Sequence, residues 1–315
     1  MSLVSAIIPT YNRATLLPRA IRSVLAQSHR PIEVLIVDDG SVDDTEAVVR
    51  GFADPCIKYI RHPHNQGQCA AINTGIRAAM GEFVCILDSD DEWRPEMLEK
   101  QLEVFARHDE RMGVVYTHGG VHRPDGTLDP SHVSHLEGRV YREALAQGHL
   151  AHSIAILVRR TCFDTTGLFD TRFSCFQDDD ICFRLAKEFE FGLVPEMLAV
   201  VHVGADDRLT TDRRPYAGGW RALLHKHEAE ILRECGPVVL AKHHFRAGLL
   251  FLDAGERRSA LSSFGRAFRL APTLKALGGI AVSVAPFPNL WVTLFRCRCG
   301  WRRSTEARSP EAYLH

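Results

Sequence analysis

Short apolar runs alternate with helical patterns in the N-terminal third of the chain, and this alternation restricts the fold more than any other feature. Residues 4–8, 34–37, 57–60 and 83–87 have the length and composition of buried β-strands. Between them, apolar residues recur at helical spacing over residues 16–25, 43–52 and 67–79. Such alternation is typical of a parallel sheet covered by helices on both faces. The sequence therefore predicts an α/β fold with a Rossmann-like, mostly parallel sheet.

Polar residues follow three of these strands at the point where each strand ends. They are Thr10, Tyr11 and Asn12 after the first, Asp38 and Asp39 after the second, and Asp88, Ser89 and Asp90 after the fourth. The carboxyl ends of parallel strands meet at one edge of a sheet, where folds of this class bind ligands. Three separate segments thus predict a ligand site at this edge.

Asp88 and Asp90 indicate a cation. On extended backbone their carboxylates point to one face and Ser89 points to the other. Two carboxylates so placed repel each other without a cation, and their oxygens suit Mg²⁺ or Mn²⁺. Solvated loops also produce this motif, so the prediction depends on the buried strand before it. His202 follows an extended segment and is either a third ligand or a structural histidine.

Two other acidic segments each allow a structural and a functional interpretation. Asp38 and Asp39 precede Gly-Ser, which favours a turn and a helix N-cap, but acids at this edge also bind ribose or base. Asp178 lies in helical register with an apolar face, at the N-terminal rim of that face. It is our candidate general base, and an ordinary acidic helix start is the alternative. Asp180 and Arg184 are four residues apart, which predicts a surface ion pair.

Charge and N-terminal composition exclude some classes of protein. The 315 residues contain 38 Lys and Arg against 39 Asp and Glu, a net charge of −1, so nucleic acid is not expected as a partner. The N-terminus has neither a basic region nor a long apolar run, which predicts a cytoplasmic protein without a signal peptide. No apolar run is long enough for a clear transmembrane helix.

The C-terminal part is predicted to be helical, with domains at residues 1–215 and 216–315. Residues 243–252 and 257–270 form a helical hairpin pattern around Gly255 that resembles one tetratricopeptide unit. One unit is too few for a solenoid, so a helical cap and a docking module both stay open. Residues 274–303 are apolar with a basic end, which fits a segment lying on a membrane surface or a helix packed on the domain.

Taken in order, the motifs resemble those of glycosyltransferase family 2, whose members have the GT-A nucleotide-sugar-binding fold. The matching segments are Pro9-Thr10-Tyr11-Asn12, Asp38-Asp39-Gly40-Ser41, Asn65 with Gly67, Asn73 and Gly75, Asp88-Ser89-Asp90-Asp91 with Trp93, Gly167-Leu168-Phe169-Asp170, and Gln177-Asp178-Asp179-Asp180. The resemblance extends from about residue 4 to about residue 210. The C-terminal hundred residues lie outside it.

The resemblance implies a role for each matching position. Thr10, Tyr11 and Asp39 line the nucleoside pocket with Asp38 close by, and Asp88 lies near the ribose and diphosphate. Asp90 binds the metal, Asp178 is the catalytic base, and His202 matches loosely a metal-binding histidine of some relatives. The predicted nucleotide-binding set is completed by Pro9, Asn12, Gly67, Asn73 and Ser89. Gln177 replaces the first acid of the family's Glu-Asp pair, which puts acceptor binding rather than the base in question.

The implied activity is inverting transfer of a hexosyl or N-acetylhexosaminyl group from a nucleotide-sugar, with UDP as the default nucleotide. The acceptor is a glycan, a lipid-linked sugar, a protein or a small molecule, as in polysaccharide biosynthesis. One alternative is a catalytically silent nucleotide-binding or docking protein of the same fold. A sugar nucleotidyltransferase is a further alternative, but residues 9–13 lack the Gly-rich basic loop that it needs. Peripheral contact with the cytoplasmic face of a membrane is also expected from residues 274–303.

Overall fold

The structure is a computed structural model that describes residues 2–123, 125–202 and 213–284. The chain divides into two compact units. The first comprises residues 1–141 and 150–204, and the second comprises residues 142–149 and 205–315. The domain limit at residue 215 stays a prediction.

The first unit contains one mixed sheet. Its strands are β1 (Val4–Thr10), β2 (Ile32–Asp38), β3 (Ile57–Arg61), β4 (Phe83–Ile86), β5 (Glu92–Trp93), β6 (Met112–His122), β7 (Leu128–His132), β8 (Ile156–Arg159) and β9 (Glu190–His202). Their order is β3-β2-β1-β4-β8-β6-β9-β5, with β7 beside β6. The first four strands in this order are parallel, and β6 is parallel to β9. The predicted α/β fold is confirmed, and the antiparallel pairs involve β5, β7 and β8.

Helices and one short turn connect these strands. They are α1 (Leu17–Leu25), α2 (Thr45–Arg50), α3 (Gln68–Ala78), α4 (Met97–Phe105), α5 (Tyr141–Gln147), the 3₁₀ turn Ser153–Ala155, α6 (Cys162–Thr166) and α7 (Gln177–Glu188). Every residue of β1 and β2 is buried, as the continuous apolar runs predict. Helix α3 packs so closely on β1 that a Cβ at Gly75 would lie 2.4 Å from Cγ2 of Ile7.

The second unit is helical, which confirms the predicted C-terminal extension. Its long helices are α8 (Arg213–Cys235), α9 (Pro237–Asp253), α10 (Arg257–Leu270) and α11 (Leu274–Val284). Trp220, Phe251 and Phe264 are buried among them. A Cβ at Gly248 or Gly279 would lie 2.6 Å from the Phe264 ring, so glycine allows α9 and α11 to approach α10.

Only the first part of the predicted membrane-surface segment belongs to the described residues. Helix α11 exposes Leu274, Leu277 and Val284. Residues 285–303 lie outside the described residues. Within the described parts of the chain, no helix has the length and apolar character needed to cross a membrane.

Candidate active site

The carboxyl ends of β1 and β2 lie side by side, as the parallel register requires. Thr10 is paired with Asp38, and the backbone N–H of Asp39 donates to the carbonyl of Thr10 at 2.8 Å. The Thr10 hydroxyl is buried and has no hydrogen-bond partner among the described residues. It is therefore available to a ligand.

Asp38 and Asp39 are buried, and both bind neighbouring loops. Asp38 accepts hydrogen bonds from the Ser41 N–H at 2.7 Å and from the Tyr59 hydroxyl. Oδ2 of Asp39 accepts the N–H of Gly67 at 2.7 Å, and its Oδ1 lies 2.7 Å from Nδ1 of His62. These bonds agree with the structural interpretation of both acids, and their nucleotide contacts stay a prediction.

The other predicted residues near β1 differ in exposure. Pro9 is buried within β1, whereas Tyr11 is 43% exposed. Asn12 has a φ of +52° and connects this strand end with the next, because its N–H donates to the Ser41 hydroxyl at 2.9 Å. Tyr11 and Asn12 are thus exposed to solvent, and Tyr11 supplies an aromatic ring on which a base can stack.

Gly67 and Asn73 position helix α3. Gly67 precedes the helix with a φ of +94°, and no atom lies within 4 Å of a Cβ built there, so backbone conformation rather than space favours glycine. Asn73 is buried, and its side-chain amide exchanges two hydrogen bonds with the backbone of Phe169, at 2.8 and 2.9 Å. A nucleotide contact from Asn73 stays a prediction.

Acids from two distant segments converge beyond β4. Burial, together with the negative charges of Asp178 and Asp90, raises the pKa of Asp88 to about 8. Oδ1 of Asp88 accepts a hydrogen bond from the Gln68 amide at 2.7 Å, which places the first residue of α3 at the same site. Ser89 between the two acids is buried. Asp88, Asp90 and Asp178 therefore form one cluster of carboxyl groups.

Asp91 and His202 lie beside this cluster. The backbone N–H of His202 donates to Asp91 at 2.9 Å, and Nε2 of its ring lies 3.4 Å from Oε1 of Glu92. Burial and the positive charge of Arg19 lower the pKa of His202, which favours the neutral imidazole that metals bind. Burial of Asp91, together with the negative charges of Asp88 and Asp90, raises the pKa of its carboxyl group.

The donor set fits a hard cation with few protein ligands. Among the described residues, no group of three or more His, Cys, Asp or Glu side chains is arranged to hold a metal ion. The Asp90 carboxylate accepts no hydrogen bond from the described residues, whereas the Asp90 carbonyl accepts one from Arg19. A Mg²⁺ or Mn²⁺ ion bound here would take most of its ligands from water and substrate phosphate, as Mg²⁺ typically does.

Asp178 is the second residue of α7, in its first turn, and the helix follows Phe176, which has a left-handed conformation with a φ of +64°. Its Oδ2 accepts the N–H of Ser153 at 3.2 Å. Its Oδ1 is buried without a hydrogen-bond partner among the described residues, as is Oε1 of the adjacent Gln177. Burial raises the pKa of Asp178, and the neighbouring His152 and Ser153 oppose that rise. A carboxylate with one oxygen held and one available is suited to accept a proton.

The predicted pair Asp180–Arg184 forms, but its surface location is wrong. Asp180 is fully buried, and Nη2 of Arg184 lies 2.8 Å from its Oδ2. Arg184 also donates to the carbonyls of Thr166 and Leu168, at 2.6 and 3.0 Å. The pair therefore holds the loop between α6 and α7 and is not an ion pair on the exposed face of a helix.

Sequence reasoning gave no role to Ser153 or Arg19, although both contact the site. Ser153 contacts Asp178 through its hydroxyl and through its backbone N–H, and every residue except proline possesses a backbone N–H. Arg19 lies on α1 and contacts a carbonyl 71 positions away in the chain. Neither contact has a local sequence signal, whereas Gln68 lies in a segment that the sequence did single out.

Comparison with known families and relatives identifies the family of this chain. The family described as Glycosyl transferase family 2 matches residues 5–165. The putative colanic acid biosynthesis glycosyl transferase WcaA of Escherichia coli is 30% identical over 237 residues, covering 72% of this chain and 81% of that protein. An uncharacterized glycosyltransferase of Nostoc sp. is 43% identical over 128 residues, covering 40% of this chain and 39% of that protein. This chain thus spans about two fifths of the length of the Nostoc relative.

Solved structures share the fold at low sequence identity. TarS of S. aureus, in complex with UDP-GlcNAc, superimposes with a TM-score of 0.69 at 16% identity, covering 95% of this chain and 93% of that chain. A mannosyltransferase from Pyrobaculum calidifontis, in complex with GDP-Man and Mn²⁺, gives a TM-score of 0.59 at 21% identity, covering 93% and 84%. At such identities the likeness shows the fold alone.

Proposed function

Because the chain belongs to glycosyl transferase family 2, we propose that it moves a sugar from a nucleotide-sugar donor to an acceptor hydroxyl, with inversion at the anomeric carbon. The observation that carries the proposal is that Asp90 and Asp178, from distant segments, are both close enough to Asp88 after β4 for their charges to raise its pKa. An inverting transfer needs a base on the acceptor side and charge neutralisation on the diphosphate side. This cluster supplies residues for both.

Asp178 is the proposed general base. Its Oδ1 has no hydrogen-bond partner among the described residues, so it can accept the proton of the acceptor hydroxyl. The acceptor oxygen then bonds to the anomeric carbon while the bond from that carbon to the diphosphate oxygen breaks. The nucleoside diphosphate leaves with the electron pair, and no covalent enzyme intermediate is required.

Asp90 is the proposed ligand of Mg²⁺ or Mn²⁺, with His202 as a second candidate. A bound ion would offset the negative charge that develops on the leaving diphosphate. Arg19 holds the Asp90 carbonyl, which leaves the carboxylate to the ion. Tyr11 and the Thr10 hydroxyl are proposed to contact the nucleoside.

The proposed donor is a UDP-sugar of the hexose or N-acetylhexosamine class. Structures that share the fold bind UDP-GlcNAc in one case and GDP-Man in another, so both nucleotides belong in the test. The similarity to WcaA, a putative colanic acid biosynthesis glycosyl transferase, supports a glycan acceptor in polysaccharide biosynthesis, with lipid-linked sugars and small molecules as alternatives.

Hydrolysis of a donor panel with Mg²⁺ or Mn²⁺ tests the function without a known acceptor. The panel contains UDP-GlcNAc, UDP-glucose, UDP-galactose and GDP-mannose, and release of UDP or GDP is measured. We expect one donor to be hydrolysed well above the rate without enzyme. Tight nucleotide binding without turnover of any donor would instead support the silent nucleotide-binding alternative.

We propose that the protein is cytoplasmic and that its second unit makes peripheral contact with a membrane. Leu274, Leu277 and Val284 are exposed on α11, and arginines at 296, 298, 302 and 303 follow in the sequence. Apolar and basic groups together favour an anionic lipid surface. Sedimentation with phosphatidylglycerol vesicles tests this contact, and equal recovery in the supernatant with and without vesicles would exclude it.

A further inference from the structure

Two hydrogen bonds connect the acidic loop after β4 with the proposed base. The indole N–H of Trp93 donates to the carbonyl of Ile154 at 2.7 Å. The backbone N–H of Ser153, the preceding residue, donates to Oδ2 of Asp178 at 3.2 Å. Trp93 lies three positions after Asp90 in the chain. The 3₁₀ turn Ser153–Ala155 is therefore bonded to both sides of the site.

Buried contacts hold this turn in place. Trp93 is 3% exposed and Ile154 2% exposed. The Gln101 amide, which is fully buried, donates to the carbonyl of Ala155 at 3.0 Å. Trp93 itself belongs to β5 and is paired with Ala199 of β9. The turn is thus connected through hydrogen bonds to the sheet and to α4.

The turn also determines which oxygen of Asp178 is available. Oδ2 is occupied by the Ser153 N–H, and Oδ1 has no hydrogen-bond partner among the described residues. A shift of the turn would change the direction of the carboxylate relative to Asp90. Errors of about 1 Å in the position of reacting groups can cost roughly 100-fold in rate.

We propose that Trp93 is a positioning residue for sugar transfer: through the turn Ser153–Ala155 it fixes the Asp178 carboxylate relative to the acids after β4. The inference rests on the proposed function, in which Asp178 is the base. The alternative is that Trp93 contributes only to the core, where its ring is packed. Trp93→Phe separates the two, because it keeps a buried aromatic ring and removes the N–H donor.

A matched control and an independent pair of variants complete the design. Trp220→Phe in the second unit also removes a buried indole hydrogen bond, that of Nε1 with the His243 carbonyl at 3.2 Å. Ser153→Ala removes the hydroxyl, which also interacts with Asp178, whereas Ser153→Pro removes the backbone N–H in addition. Proline fits this position because His152 has φ −76° and ψ 146°, an extended conformation that proline favours in the residue before it.

The measurements are kcat and KM for hydrolysis of the panel donor that the wild-type enzyme turns over fastest, and UDP binding by calorimetry. We expect Trp93→Phe to lower kcat about tenfold or more, with KM and UDP affinity within about twofold of wild type. Ser153→Pro should lower kcat well below that of Ser153→Ala. Trp220→Phe should keep the wild-type kcat.

Three results would overturn the inference in an active enzyme. They are a wild-type kcat in Trp93→Phe, an equal loss in Trp220→Phe, and equal rates in Ser153→Pro and Ser153→Ala. If Trp93→Phe does not fold, the two serine variants decide. Absence of turnover in the wild-type protein would refute the proposed function itself, so the two failures are distinguishable.

Discussion

At the scale of single residues, Asp178 carries the sharpest prediction. Asp178→Asn keeps the shape of the side chain but removes its capacity to accept a proton, so we expect donor turnover to fall by about 10²–10⁴-fold. UDP affinity, measured by calorimetry, should stay near the wild-type value. Asp164→Asn, at an exposed acid of α6, is the control for charge. Wild-type turnover in Asp178→Asn would remove the base assignment.

Asp90 makes a different prediction, because its proposed role is in binding. We expect wild-type UDP affinity to increase on addition of Mn²⁺ and to fall again with excess EDTA. In Asp90→Ala the affinity should be weak and nearly independent of Mn²⁺, since the carboxylate ligand is absent. Calorimetric titrations with and without Mn²⁺ provide the comparison. A variant that still responds to Mn²⁺ as the wild type does would contradict the assignment.

At the scale of elements, apolar periodicity predicted strands β1–β4 and helices α1–α3 of the first unit. The run 34–37 lies within β2, and the pattern 16–25 corresponds to α1, because burial on one face imposes the spacing. Contacts between elements could not be predicted in this way. Gln68 meets Asp88 and Ser153 meets Asp178 across 20 and 25 positions, distances at which hydrogen bonding leaves no periodic signal.

The contacts of Asp39 and Asn73 also could not be predicted from the sequence. Their motif favours a nucleotide contact, and for Asp39 the sequence left a structural role open. The structure adds the partners: Asp39 binds the Gly67 N–H and Asn73 binds the backbone of Phe169. Some residues of a motif hold loops and others face the ligand. The role of each depends on where the backbone of distant segments, such as Gly67 and Phe169, lies in the fold. Composition and spacing do not contain that information.

The contact between α3 and the loop after α6 yields a stability prediction. Asn73→Ala leaves the N–H and carbonyl of Phe169 without their buried partner, which should lower the free energy of unfolding by about 1–3 kcal/mol. Urea denaturation measures the change. Asn65→Ala is the control, because Asn65 is exposed and water can replace its bond to the Gly67 N–H. Unchanged stability with weakened UDP binding would instead support the predicted nucleotide contact of Asn73.

At the scale of the whole molecule, buried histidines predict that the second unit is sensitive to acid. Among its described residues, the second unit contains three buried histidines whose pKa values are lowered: His149, His243 and His244. Burial lowers the pKa of His149 to about 3 and that of His243 to about 4, and the positive charge of Arg246 adds to both shifts. Nε2 of His243 also lies 2.8 Å from the Leu145 carbonyl, a bond that raises its pKa without cancelling the effect of burial.

Between pH of about 4 and 6.5, both His149 and His243 are therefore neutral in the folded state, whereas in the unfolded chain they bind protons. Below a pH of about 6.5, the unfolded state gains a proton at each histidine, while the folded state gains none until the pH approaches the lowered value. The free energy of unfolding is highest above the histidine pKa of the unfolded chain, about 6.5, and decreases as the pH falls towards about 4, the pKa of His243 in the folded state. Each histidine contributes a slope of about 1.4 kcal/mol per pH unit in this window.

We accordingly predict that the urea midpoint for residues 213–284 falls as the pH is lowered from 7 to 5. Proteolysis during urea unfolding, with fragments identified by mass spectrometry, assigns the transition to this region. His243→Gln removes one of these titrating groups, so its midpoint should depend less steeply on pH than that of the wild type. His225→Gln, at an exposed position of α8, should leave the wild-type slope intact. If His243→Gln and His225→Gln give the same slope, burial of His243 does not govern the acid sensitivity of the second unit.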